Sequence, residues 1–314
     1  PLPESEMNPS RPLLGVTLAL LLSAAAARAG SAGIALPEGC VGLVRASAAP
    51  RISLDPVAAA QRSMLLNVLR GEIGRRTYNP DLLGVPPDGA HTLLLLEADK
   101  YGADWACVVP VAEQVLFAGA VGRRLDEIAV DNGVRRFERT RRDEAAFRRA
   151  TPEERRDAQR FRIVDALFVT FADRQAVCSS SLAACRQAAA WLRQGSLGPD
   201  AGKQADFTVA LRPDLMAAQW RTEMERRGRE LLAHTRGTKK APEQAATPSA
   251  FLGAAVQVEI EALLRLAGQV RQLDLTFNLA GVQGIQAAAS LSAGPDTPLA
   301  RFLEGPSVAR PCPG

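Results

Sequence analysis

Histidine is nearly absent from this sequence, and its scarcity argues against several kinds of active site. The two histidines, His91 and His234, have no histidine or carboxylate partner at the spacing of a helical metal site. Zinc centres and the serine and cysteine hydrolases usually use histidine as a ligand or a base. The sequence therefore predicts neither a metal site nor a catalytic residue.

Phosphate-binding glycine patterns and nucleophile motifs are missing too. Gly119 and Gly122 in "GAVG" fall short of a G-x-G-x-x-G fingerprint, and no P-loop lysine follows them. Ser179, Ser180 and Ser181 precede a predicted helix without a G-x-S-x-G elbow, so we interpret them as N-cap residues. No cofactor is predicted.

Only one long apolar run is present, and it lies near the start. Leu13 to Ala27 follows a short segment, Met7 to Arg11, with one positive charge. As a helix this run of about 15 residues would rise about 22 Å, which is short for a hydrocarbon core of about 30 Å. Ala27-Arg28-Ala29 supplies the small residues of a signal-peptidase site. We expect residues 1–29 to be upstream residues and a cleaved signal peptide, and the mature protein to be periplasmic or extracellular. An uncleaved anchor is the alternative.

Lysine is scarce as well, because only Lys100, Lys203, Lys239 and Lys240 accompany the arginines. The net charge is +4, a mild excess. Together with the abundance of alanine, this pattern indicates first the residue bias of a GC-rich coding sequence. Charge alone identifies no partner.

One segment is far more basic than the rest. Residues 135–162 contain eleven arginines and six acids. We interpret this segment as a surface loop or exposed helix. The functional alternative is contact with lipid head groups or envelope polysaccharide through Arg135, Arg136, Arg139, Arg141 and Arg142. Nucleic acid is not an expected partner, since the segment offers only three phenylalanines as aromatics and the leader removes the chain from the cytoplasm.

The acids of this segment also allow a carboxylate-based hydrolase, which needs only two carboxyl groups at a suitable separation. They are Glu138, Asp143, Glu144, Glu153, Glu154 and Asp157. Because they are interspersed with arginines, a solvated ion-pair surface is the preferred interpretation.

The five cysteines are an odd number for an exported chain. Cys178 and Cys185 in "CSSSLAAC" could pair, with Cys178 ending a strand and Cys185 in the next helix. Cys40 and Cys312 could tie the two mature ends. Cys107 lies within "WACVVPV", where a cysteine is typically a small buried hydrophobe. The alternative is that all five are plain thiols.

Apolar periodicity and turn residues predict a mixed succession of helices and strands. The first part contains a strand over Val41–Val44, a helix from Asp55-Pro56 to about Arg76, and a hairpin of Thr92–Glu97 with Asp104–Val111. The middle adds a hairpin turning at Ala172 to Arg174 and a helix ending at Gly195. The last part contains "DFTVAL", a helix opening at Pro213, a helix capped by Ser249, an alternating strand over Leu273–Leu279 and a short helix at Thr297-Pro298.

These elements predict an α+β fold with antiparallel sheets and helices packed on one face. The order strand, long helix, hairpin, short helix occurs twice. We therefore expect two related α+β halves, residues 30–200 and 201–314.

Three apolar and turn patterns carry a family resemblance: "LLLLEADKYGADWACVVPV", "DALFVTFADRQAVCSSSLAACRQAAAWL" and "PDTPLARFLEG". With the leader, this layout resembles uncharacterised exported bacterial proteins built from repeated strand, helix and hairpin units. The resemblance carries no catalytic residue over. We expect an envelope protein that binds or scaffolds. The alternatives are the hydrolase above and a carrier in which "TLLLLE" and "DALFVTF" line a space for a lipid or other apolar ligand.

Overall fold

The computed structural model describes most of the chain. The described residues are 34–47, 56–151, 153–197, 205–216, 265–281 and 284–304. The expected signal peptide, His234 and Cys312 lie outside them, as do residues 217–264, where two helices are expected. Export and cleavage after Ala29 stay predictions.

Ten strands in the described part of the chain form one sheet. They are β1 (Cys40–Ala46), β2 (His91–Leu96), β3 (Trp105–Pro110), β4 (Asp126–Asp131), β5 (Val134–Arg142), β6 (Arg162–Ala172), β7 (Gln175–Ser179), β8 (Phe207–Leu211), β9 (Val270–Gly281) and β10 (Gly284–Ala293). Their order is β10-β9-β8-β1-β2-β3-β7-β6-β5-β4. The pairings of β1 to β7 that are described in register are all antiparallel. The predicted α+β class with an antiparallel sheet is confirmed.

Helices connect these strands. The described ones are α1 (Pro56–Arg76), α2 (Ala98–Tyr101), α3 (Gln114–Gly122), α4 (Glu144–Arg149), α5 (Leu182–Arg193) and α6 (Pro298–Glu304). Two short 3-10 turns, Glu154–Arg156 and Ala158–Phe161, lead into β6. None of the helices in the described residues combines the length and the apolar character needed to cross a bilayer.

The two hairpins predicted in the first two hundred residues, β2–β3 and β6–β7, are confirmed. The β2–β3 connection is the one-turn helix α2, which ends at Gly102 with φ 68° and an amide that donates to Ala98 O at 2.7 Å. The β6–β7 turn is made by Asp173 and Arg174, with φ of 47° and 60°. Two successive left-handed residues give a turn whose twist matches antiparallel strands.

The loop or exposed helix that the sequence suggests for the basic segment is found only after residue 142, where α4 and the two 3-10 turns follow. Residues 134–142 form β5, which pairs with β4 on one side and with β6 on the other. The β4–β5 turn is Asn132-Gly133, with φ of 49° and 77°. Every residue of β4 is exposed, so this edge strand shows no apolar alternation. The sequence pattern did not indicate a strand here because only Val134 and Phe137 of β5 are buried, and these two residues lie on opposite faces.

Helices lying on one face of the sheet are not confirmed. Phe168 of β6 packs in the core cluster that contains the apolar side of α5. Phe171, three residues on and therefore on the opposite face, meets Phe117 of α3 edge to face at 6.1 Å between ring centroids. Strands β2 and β3 are almost fully buried along their length. Their continuous apolar runs match a sheet that is covered on both sides.

The chain divides into two compact units. Among the described residues, one unit contains 34–210 and 275–289, and the other contains 211–274 and 290–304. The first unit holds β1 to β7, helices α1 to α5 and the core cluster. Related halves at 30–200 and 201–314 stay a prediction.

Candidate functional site

The five arginines considered for contact with an anionic surface lie on β5, and they are divided between its two faces. Side chains alternate along a strand, so Arg135, Arg139 and Arg141 share one face and Arg136 and Arg142 the other. Arg136 lies opposite Phe168 in the β5–β6 register, with its guanidinium 5.8 Å from the ring centroid. The predicted cluster is therefore divided, and only the Arg135 side shares a face with α3.

Carboxylates accompany all five arginines. The ion pairs are Arg135 with Glu127 at 2.7 Å, Arg136 with Glu138, Arg139 with Asp165 at 3.3 Å, Arg141 with Asp165 at 3.0 Å and Arg142 with Glu144 at 2.7 Å. These side chains are partly or largely exposed, and such pairs stabilise a fold little. Asp165 serves two arginines. The Arg139 and Arg141 pair thus keeps one positive charge that Asp165 does not balance.

A rigid loop of residues 77–85 lies beside Arg139, directly after α1. The Thr77 hydroxyl donates to Ile73 O at 2.8 Å and extends the end of the helix. The loop lies so close to α1 that a Cβ on Gly74 would meet Asn79 O and Pro80 O at 2.9 Å. Within the loop, the buried amide of Asn79 binds both backbone groups of Leu83. The sequence therefore fixes this loop with helix-end and side-chain hydrogen bonds.

The end of α3 forms the facing wall. Gly84 accepts the Ala112 amide at 2.9 Å, which ties the 77–85 loop to the start of this helix. Phe117 and Val121 of α3 are fully buried. After the helix, the Arg123 amide donates to Gly119 O and the Arg124 amide to Val121 O, which fixes the backbone of both arginines. Their side chains are exposed.

A cavity of about 490 Å³ opens between the loop, the end of α3 and β5. Its lining includes Arg123, Arg124 and Arg139 but, among the described residues, only one acid, Asp81. We call this cavity the arginine pocket. No described residue forms an ion pair or hydrogen bond with the side chain of Arg123 or Arg124. Three arginines thus line one cavity, and only Arg139 of the three has an ion-pair partner among the described residues.

The pKa of Tyr78 is shifted by charges on β5 and β6, which shows that the 77–85 loop lies close to these strands. Burial raises the pKa of Tyr78, the Asp165 carboxylate raises it further, and Arg139, Arg141 and Arg75 oppose the shift. These charges act on the phenol because the start of the loop and the Arg139 face of the sheet are neighbours. Tyr78 therefore stays protonated at neutral pH.

The sequence interpretation missed Arg123 and Arg124. The available signal was a pair of arginines directly after the apolar stretch "VLFAGAVG". Two bases after a helix C-terminus are ordinarily a complement to the helix dipole. Only the fold shows that they face Arg139, which is distant in sequence.

The acids that could include a catalytic pair have local structural roles. Asp143 caps α4 by accepting the Ala146 amide at 2.9 Å, and Asp157 accepts the Gln159 amide at 3.2 Å. Glu154 accepts the Thr151 amide at 2.8 Å, and hydrogen bonds from Thr151 lower its pKa. No group of three His, Cys, Asp or Glu side chains in the described stretches is arranged to hold a metal ion.

The Cys178–Cys185 bond, one of the alternatives left open by the sequence, is not formed in the structure. Cys107, Cys178 and Cys185 are buried free thiols, and Cys185 Sγ donates to Val177 O at 3.4 Å. Cys178 instead lies opposite Cys107 across β3 and β7. Burial raises the pKa of Cys178 well above its ordinary value and that of Cys185 to about 12. The Cys40–Cys312 bond stays a prediction, because Cys312 lies outside the described residues.

The strands proposed to line a carrier cavity supply core residues. Leu93, Leu94 and Leu167 are all 0% exposed. Leu94 belongs to the core cluster with the apolar side of α5.

Compared with known proteins, the chain matches no family model, no curated protein and no solved structure.

Proposed function

We propose that this chain is an exported cell-envelope protein that binds an anionic partner and does not act by catalysis. The observation that carries the proposal is the convergence of Arg123, Arg124 and Arg139 on one cavity. The guanidinium group of arginine is charged at any pH the protein meets, and its planar set of donors suits carboxylate and phosphate groups.

The arginine pocket is better suited to bind an anion than the other arginines of β5 are. Arg135, Arg136 and Arg142 each have a nearby carboxylate, so an anion would compete with Glu127, Glu138 or Glu144. Arg123 and Arg124 form no such ion pair among the described residues, and Asp81 is the one acid of these residues that lines the pocket. The proposed contact with an anionic surface is therefore centred on the arginine pocket, which includes Arg139, and Arg141 lies on the same face of β5 as Arg139.

Co-sedimentation with lipid vesicles tests this function. The purified mature chain is mixed with phosphatidylglycerol vesicles or with neutral phosphatidylcholine vesicles. We expect it to sediment with the anionic vesicles at about 0.05 M salt and to be released at about 1 M, because salt screens contacts between exposed charges. Absence of binding to the anionic vesicles at low salt, or binding that salt does not weaken, would contradict the proposal.

Mass spectrometry of the protein from an exporting host tests the location and the carrier alternative. A denatured mass that lacks everything through Ala29 would support export with cleavage, and a full-length product would argue for the anchor. Extra mass in the native spectrum that is lost on denaturation would favour a carrier of an apolar ligand.

A further inference from the structure

The arginine pocket has features that narrow the class of its ligand. Each guanidinium presents a planar fork of N–H donors, and charge-assisted forks are strongest on groups with several acceptor oxygens. Three forks, from Arg123, Arg124 and Arg139, provide more donors than the two oxygens of one carboxylate can accept. A phosphate group, with three or more exposed oxygens and a larger charge, matches this set better.

The pocket also has room and groups for more than a phosphate. Its volume of about 490 Å³ lies in the range of small-molecule sites. Asp81, on the same lining, has no ion pair or hydrogen bond among the described residues. A carboxylate repels phosphate but accepts hydrogen bonds from hydroxyl groups. Arginines with one unpaired aspartate therefore suit a phosphate that is carried by a hydroxylated group.

We propose that the arginine pocket binds the phosphate group of a phosphorylated polyol, either a phospholipid head group or a free ester. This inference rests on the proposed function, since it names the ligand of the same anionic contact. Arg123 and Arg124 hold the phosphate from the end of α3, and Arg139 holds it from β5. The carboxylate of Asp81 accepts a hydrogen bond from a hydroxyl group of the polyol.

A pair of double variants tests the pocket. R123Q/R124Q removes two pocket charges. R148Q/R149Q is the matched control, because it removes the same charge from two exposed arginines in the last turn of α4. Binding is measured by calorimetry with glycerol 3-phosphate and by co-sedimentation with phosphatidylglycerol vesicles. Thermal unfolding of both variants shows that the fold is retained.

We expect R123Q/R124Q to weaken binding about tenfold or more, because the charge-assisted hydrogen bonds from two guanidinium groups to the phosphate are lost. The control should stay within about twofold of the wild type. If R123Q/R124Q loses binding to both glycerol 3-phosphate and vesicles, the pocket recognises the free ester. If it loses binding to vesicles alone, the pocket recognises a lipid head group. If both variants weaken vesicle binding equally, the pocket is overturned while anionic binding stands. If the wild type binds neither probe, the proposed function fails as well.

A second, independent observation concerns Cys107 and Cys178. They are direct partners in the β3–β7 register, which continues without a shift through Ala106 with Ser179 and Val108 with Val177. Opposed Cβ atoms in antiparallel strands are about 4.5 to 5.5 Å apart, and disulfides need about 3.5 to 4.5 Å. Both thiols are 0% exposed in the middle of the sheet. A bond between them needs at most a small approach of two strands that are already paired.

We infer that Cys107 and Cys178 form a cross-strand disulfide when the chain folds in an oxidising compartment. The two thiols lose two protons and two electrons and gain one S–S bond, while the disulfide of a thiol–disulfide oxidoreductase is reduced to a dithiol. The exchange proceeds through a mixed disulfide. Since both side chains are inaccessible in the folded sheet, it must precede the completion of folding.

Peptide mapping tests this bond on the chain exported with a host leader, so that the result does not depend on its own leader. Alkylation under denaturing conditions is followed by trypsin, which yields one peptide of residues 101–123 and another of 175–186. We expect these peptides to be linked in the wild type and in C185A, and separate in C178A and in the wild type made in a reducing cytoplasm. Complete alkylation of Cys107 and Cys178 in the exported wild type, or a Cys178–Cys185 link, would overturn the inference.

Discussion

Asn79 and Leu83 are joined by both ends of one side-chain amide. Asn79 Nδ2 donates to Leu83 O at 3.0 Å, and Asn79 Oδ1 accepts the Leu83 amide at 2.9 Å. The side chain of Asn79 is almost completely buried. Because this clamp spans Asp81, it fixes the wall of the arginine pocket that faces Arg123 and Arg124.

Replacing Asn79 by alanine should lower the free energy of unfolding by about 1 to 3 kcal/mol, since two hydrogen bonds to the backbone of Leu83 are lost. Asp81→Ala, in the same loop, removes an exposed side chain and should change stability by about 0.5 kcal/mol or less. Urea denaturation of the two variants checks this. Equal losses would mean that the clamp does not hold the loop.

Replacing Gly74 by alanine should lower the stability of the protein, whereas the same replacement at Gly71 in the same helix should not. A Cβ on Gly74 would meet two carbonyl oxygens of the loop at 2.9 Å, and nothing lies within 4 Å of a Cβ on Gly71. We expect Gly71→Ala to raise stability by about 0.5 to 1 kcal/mol through helix propensity. Gly74→Ala should lower it by about 1 to 3 kcal/mol through forced backbone movement. Thermal unfolding of the two variants compares their stabilities. A higher stability of both variants would show that the 77–85 loop can move without destabilising the fold.

The sequence predicts the elements of this fold better than their arrangement. The helix from Pro56 and the β6–β7 hairpin follow from local signals, a proline at the first helical turn and two turn residues. Strand β5 escaped prediction because arginines occupy both of its faces, although Asn132-Gly133 is a strong hairpin signal.

The arginine pocket could not be predicted for a different reason. Arg123 and Arg139 are separated by the whole β4 strand and its turn, and they line one cavity with residues of the 79–83 segment only in the folded chain. The position of a loop relative to a strand depends on sheet order, which local periodicity does not encode. The Cys107–Cys178 pairing has the same origin, since β3 and β7 are neighbours only in the folded sheet.

Removing the charge of Glu72 should be costly. Its carboxylate is 2% exposed and bonds Arg76 at 2.5 Å and Arg75 at 2.7 Å, with the Arg76 side chain 5% exposed. Glu72→Gln leaves a buried guanidinium without its counter-charge, so we expect a loss of about 3 kcal/mol. Glu144→Gln breaks a pair whose side chains are both 51% exposed and should cost about 1 kcal/mol or less. Similar urea midpoints for the two variants would contradict this difference.

His91 should make the protein less stable in mild acid. Burial lowers the pKa of His91 to about 4; a hydrogen bond to Gly89 O opposes the shift and the Arg70 charge adds to it. The neutral ring donates from Nδ1 to Gly89 O at 2.6 Å and leaves Nε2 to accept from Arg70 at 3.1 Å. A proton on Nε2 would place two donors and two positive charges face to face.

The sign of the pH effect follows from this shift. The unfolded chain, in which the pKa of the histidine is about 6.5, takes up the proton before the folded protein does, so the contribution of His91 to stability is complete above that pH and is lost as the pH falls towards 4. Between pH 7 and pH 5 we expect a loss of about 2 kcal/mol from this group. His91→Gln cannot titrate, so its free energy of unfolding should fall less over the same interval. Urea denaturation at both pH values measures the two differences, and an equal fall in wild type and variant would show that another group causes the acid sensitivity.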